Sequence, residues 1–237
     1  MSTDALSASA GGYRLPNRKG LLMLYLPNVA LLLLVAIAAL SPQITVASLT
    51  RDMAATAKVH PLTGVVSNVG ILLWCATAAI CLFSSNLLRQ RGAHRAAGFL
   101  LWSGLMTAGL LVDDFFMFHE YLAPVHLGID EKVVLLGYVC ITAVYLLQHR
   151  RLILEADYRL LVTALVLFIG SMMIDLADVG GWWNLAEDGC KLLGIASWFG
   201  YHAGRAKQWL ALAPDARTQM TDVASLKDVP PRAQIYS

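Results

Sequence analysis

Blocks of about twenty mostly apolar residues recur along the chain, at 20–40, 62–83, 96–121, 133–147, 160–178 and 185–203. A block of roughly that length crosses a bilayer core as an α-helix. Lipid offers no partners for bare peptide groups, so spanning segments must satisfy their own backbone. The pattern predicts an all-α fold, a polytopic membrane bundle of six transmembrane helices. The fourth block is short, and Glu131 and Lys132 extend it; the sixth opens with charges. Composition agrees: 57% of residues are hydrophobic and 14% charged, against about 25% charged in ordinary soluble domains. The first block is too long for the apolar core of a cleaved signal. Residues 1–19 read as a disordered cytoplasmic head and 20–207 as the six-helix membrane domain. Residues 208–237, with scattered charges and Pro230-Pro231, read as a flexible cytoplasmic tail.

Basic residues set the expected orientation. Arg14, Arg18 and Lys19 precede the first block, Arg89, Arg91 and Arg95 follow the second, Arg150, Arg151 and Arg159 follow the fourth, and Arg205 and Lys207 follow the sixth. The remaining connections hold only Arg51, Lys58, Lys132 and Lys191. The positive-inside rule then puts both termini in the cytoplasm. A net charge of +2 gives no electrostatic footprint for nucleic acid. Cys75, Cys81, Cys140 and Cys190 form no Cys-x-x-Cys pair and read as small hydrophobes.

The third block ends in Val112-Asp-Asp-Phe-Phe-Met-Phe-His-Glu120. Ionisable groups in a span are unfavourable by about 2.5–3.5 kcal/mol each and mark function. On one continuous helix Asp113 and Glu120 share a face, two turns apart, while Asp114 and His119 point elsewhere. Asp175 and Asp178 close the fifth block, and Glu187 and Asp188 open the sixth. Glu187 and Lys191 have the spacing of a favourable helical ion pair. Acids at helix starts gain about 0.3–1 kcal/mol from the dipole, a structural account of Glu131, Glu187 and Asp188. Asp113, Asp114 and Asp175 lie near helix C-ends and need a cation, a proton or a metal. Ser67 and Asn68, early in the second block, can hold a substrate carbonyl or pack against another helix. His94, His149 and His202 fall at the expected cytoplasmic end, away from the acids.

Carboxylates with an imidazole suit a divalent ion: Mg, Ca or Mn with oxygen ligands, Zn when imidazole joins. The first expectation is a metal-dependent hydrolase of a lipid-like substrate, its site facing outward. Asp113, His119, Glu120, Asp175 and Glu187 are the expected metal ligands. Glu120, His119 and Asp114 are the expected catalytic groups. Ser67, Asn68, Glu131, Asp188 and Lys191 are the expected substrate contacts. Two alternatives stand beside it: a proton- or cation-coupled transporter, and a non-enzymatic accessory subunit whose acids bridge to lysines or to a partner.

At Val112-Asp-Asp-Phe-Phe-Met-Phe-His-Glu120, Glu131-Lys132 and Glu187-Asp188-Gly-Cys-Lys-Leu-Leu-Gly194 the chain resembles a group of bacterial multi-pass membrane proteins that carry no assigned activity. The resemblance implies the bacterial inner membrane, with the lipid bilayer as partner. Ser67-Asn68 early in one span and Asp with His in the next are similar in outline to the alkaline ceramidase superfamily of membrane metal hydrolases. That superfamily has seven spans and a zinc-binding histidine pair in the last; here the last span offers only His202.

Overall fold

A computed structural model describes residues 18–41, 44–177 and 180–213. Asp178 and nearly all of the expected head and tail lie outside the described residues. Those described are mostly helical, with no strand among them. They form two compact units that divide between Thr63 and Gly64.

The first unit holds α1 (Arg18–Ala38), α2 (Val46–Thr50) and α3 (Met53–Ala57). Thr45 and Asp52 begin the two short helices, each accepting a backbone N–H three residues on. These caps satisfy donors that a helix start leaves open.

The second unit holds α4 (Val65–Gln90), α5 (His94–Phe116), a π-helical segment π1 (Phe118–Leu127), α6 (Glu131–Leu154), α7 (Arg159–Asp175) and α8 (Trp182–Leu212). Helices α4, α5 and α6 are long and apolar enough to cross a membrane. Their backbones carry little polarity outside the i→i−4 bonds, so what remains is how they pack. Small residues contribute to that. A Cβ on Gly104 would stand 2.8 Å from the Leu82 side chain, and one on Gly194 would stand 2.7 Å from Phe168. Only glycine lets α5 lie on α4, and α8 on α7, at these separations.

Helix α6 is the exception. Its backbone approaches π1 but no other helix closely. Side chains tether it: Tyr138 bonds Asp113 near one end, and Tyr145 bonds Ser103 and His202 deeper in. Seven residues apart, the two tyrosines share a helix face. They hold α6 at arm's length, and a cavity fills the gap above the deeper tether.

That tether sits in the packed core. Phe99, Trp198, Tyr201 and Tyr145 are buried together, and Phe99 meets the rings of Tyr145, His149, Tyr201, His202 and Trp209. His202 is wholly buried, on a helix that continues beyond it to Leu212.

Candidate functional site

The third block does not continue as one helix to Tyr121. It stops at Met117, whose φ of 51° puts it in the left-handed region. The chain then re-enters as the wider π1 turns, with an acidic residue, Glu120, in the first turn. Stretches of π-helix are rare and occur often at functional sites. This break replaces the expected Asp113–Glu120 pair with Asp113–His119. The backbone N–H of His119 donates to Asp113 Oδ1 at 3.0 Å, and its ring Nδ1 lies 2.5 Å from Asp113 Oδ2. Tyr138 Oη donates to Oδ1 at 2.7 Å. Asp113 is buried, and three donors now stabilise its carboxylate.

Asp114 faces a different set. Trp74 Nε1, from α4, donates to Oδ2 at 2.8 Å, and Lys191 Nζ, from α8, reaches Oδ1 at 2.7 Å. Lys191 therefore pairs with Asp114, not with Glu187 as helical spacing suggested. A nearly buried carboxylate is the stronger attractor, since water screens it less than an exposed one.

A carboxylate has no proton to give, so His119 Nδ1 carries a hydrogen. Its Nε2 is left facing Glu120 Oε1 at 3.5 Å. His119 lies beyond the end of α5. Burial opposes its charged form, but the hydrogen bond and charge of Asp113 outweigh burial, and Glu120 adds to them, so its pKa is raised. An imidazole oriented by a buried carboxylate, with one nitrogen free, is equipped to move a proton.

Both clusters cap one cavity of about 390 Å³. Asp113, Asp114, His119, Glu120, Asp175, Glu187 and Lys191 all contribute to its wall. Below them the wall turns apolar. Met106 and Leu110 come from α5, Leu135, Val139 and Leu146 from α6, Leu165, Phe168 and Ile169 from α7, and Trp198 from α8. The volume falls in the range of small-molecule sites.

The remaining expected residues lie elsewhere. Ser67 and Asp188 are exposed and line a separate recess of about 20 Å³, beside Asp114 and Lys191. Asn68 is exposed and lines neither space. Glu131 occupies the first turn of α6, behind the Asp130 cap, and is also outside both. Of the five expected substrate contacts, only Lys191 lines the larger cavity.

Among the described residues, no three His, Cys, Asp or Glu side chains converge to hold a metal ion. Both oxygens of Asp113 and both of Asp114 already accept protons from the protein itself. The ammonium of Lys191 already neutralises Asp114 at 2.7 Å. The expected set of Asp113, His119, Glu120, Asp175 and Glu187 shares a cavity but does not have the geometry of a coordination shell.

Sequence reasoning missed Trp74 and Tyr138, which hold the two aspartates. A signal existed for one of them. Tyr138 and Tyr145 recur at a two-turn spacing on an otherwise aliphatic helix, the spacing of a polar stripe facing inward.

Residues 26–204 match the family described as a domain of unknown function, DUF8692, so the chain belongs to that family. No curated protein and no solved structure matches it.

Proposed function

We propose that the protein is a six-span membrane protein, both termini cytoplasmic, that binds a lipid-like amphiphile. In this reading it sits in a bacterial inner membrane with the cavity cap toward the outer surface. The observation that carries the reading is the cavity itself, an apolar space with charged side chains gathered at one end. Such a space fits a molecule with a hydrocarbon chain and a polar head. The chain would lie along Val139, Leu146, Leu165 and Ile169, and the head would meet Glu120, Glu187 and His119. Burial of each methylene is favourable by roughly 0.8 kcal/mol from water. A chain arriving from lipid gains little of that, so the polar contacts decide occupancy.

His119 is the group equipped for a chemical step, with Asp113 orienting it and Nε2 available as acid or base. Asp114 is assigned a structural part in this reading, since Trp74 and Lys191 occupy both its oxygens. Metal-assisted hydrolysis would require Glu120, Asp175 and Glu187 to turn together onto one ion.

Photolabelling tests the reading. Purified protein in nanodiscs is irradiated with a single-chain lipid carrying a diazirine midway along its tail, and adducts are mapped by mass spectrometry. Adducts should concentrate on Met106, Leu146 and Leu165, which line the cavity and are not exposed, and excess unlabelled lipid should compete them away. Adducts confined to lipid-facing residues such as Phe83 and Leu147, without competition, would reject it.

A further inference from the structure

The charges around the cavity mouth do not balance, and the imbalance selects a head group. Five carboxylates line the cavity against one ammonium and one imidazole. Two of the five are spoken for: Asp113 by His119 and Tyr138, and Asp114 by Lys191 and Trp74. Glu120 shares His119 at 3.5 Å. Asp175 and Glu187 make no hydrogen bond or ion pair among the described residues. They come from different helices, α7 and α8, and both face the space where the head would sit. The site therefore keeps uncompensated negative charge even with the imidazole protonated.

Among the described residues, an anionic head would find no unpaired cation there. Lys191 is held at 2.7 Å by Asp114, and His119 is turned between Asp113 and Glu120. A neutral hydroxyl would leave exposed Asp175 and half-buried Glu187 to water and gain no charge attraction from either. A cationic head reverses both terms.

We propose that the cavity takes a single-chain amphiphile with a cationic amine head, its chain in the apolar shaft and its ammonium against Asp175 and Glu187. The inference rests on the amphiphile reading above and adds the class of ligand.

The test uses three probes of equal chain length, dodecylamine, dodecanol and dodecanoate, competing against the photolabel in nanodiscs of zwitterionic lipid. The amine should compete at least about ten-fold more tightly than dodecanoate. The preference should fall to within about two-fold in the double variant Asp175→Asn, Glu187→Gln. Dodecanol competition unchanged in that variant would show that the cavity is intact. Equal competition by all three probes, or a preference that survives the double variant, overturns the cationic head while leaving the amphiphile reading in place. Competition by none of them overturns both.

Discussion

Where α5 gives way to π1, buried polar atoms meet as charges: Asp113 with His119, Asp114 with Lys191. A few turns deeper along the same helices they meet as neutral groups. Ser103 Oγ lies 2.8 Å from Tyr145 Oη, which lies 3.1 Å from His202 Nε2. His202 Nδ1 faces the Trp198 carbonyl at 2.9 Å, and Trp198 Nε1 donates to Thr107 at 3.0 Å. A carbonyl can only accept, so Nδ1 donates and Nε2 accepts from Tyr145. The single hydrogen of Ser103 Oγ serves either the Phe99 carbonyl at 2.8 Å or Tyr145 Oη. The imidazole is neutral in this set, and aromatic rings surround it. The charged region lines the polar end of the cavity, whereas the neutral one meets it only at the Trp198 ring. Polar atoms paired among themselves fit a structural role. Charges left partly unmatched around a cavity fit the proposed binding site.

The largest effect should come from the sealed region. Phe99 is almost wholly buried and touches five rings. Phe99→Ala should lower stability by about 3–5 kcal/mol, the range for emptying a large aromatic from a packed site. Reversible unfolding in mixed micelles with a denaturing detergent measures it. Photolabel competition in the folded fraction should be unchanged. A variant of near-normal stability that no longer binds would invert the roles assigned to the two regions.

How far the sequence foretold this contrast depends on the kind of signal. Helices α4 to α8 were legible because their apolar blocks are long and their boundaries carry arginines or glycines. The acids of the cap were legible because charge in an apolar block is rare. Their partners were not. Nothing in Phe116-Met117-Phe118 announces a left-handed residue, so Asp113 and Glu120 appeared to share a face that the chain in fact abandons. Nor does helical spacing reveal that Lys191 prefers a carboxylate on another helix to Glu187 on its own. The cavity was invisible for a related reason. It exists because α6 stands back on two tyrosines, and a standoff between helices leaves no periodicity in either one.

An intermediate effect is expected at the Asp114–Lys191 pair. Lys191→Met removes the cation and leaves Asp114 with Trp74 alone. Stability should fall by about 2 kcal/mol, less than for a fully buried pair because Lys191 is partly exposed. Adding Asp114→Asn should recover most of that loss, since the unpaired charge is then gone. Strictly additive losses would mean that the two side chains do not depend on each other, and the cap would lose its distinction from the neutral network.

The smallest effect tests whether His119 truly belongs with the charges. Its pKa is raised because Asp113 outweighs the opposition of burial. A raised histidine contributes stability that is fully present below its unfolded pKa of about 6.5. That contribution is lost as pH rises through the higher folded value. The melting temperature of the wild type, measured relative to His119→Gln, should therefore decline from mildly acid to alkaline pH. The subtraction cancels Asp114–Lys191 and every other titrating pair common to both proteins. A difference that stays flat across that window would mean that the ring holds Asp113 only as a neutral donor. The cap would then obey the same rule as His202 in the sealed region, and the division between a charged binding end and a neutral structural core would rest on Lys191 alone.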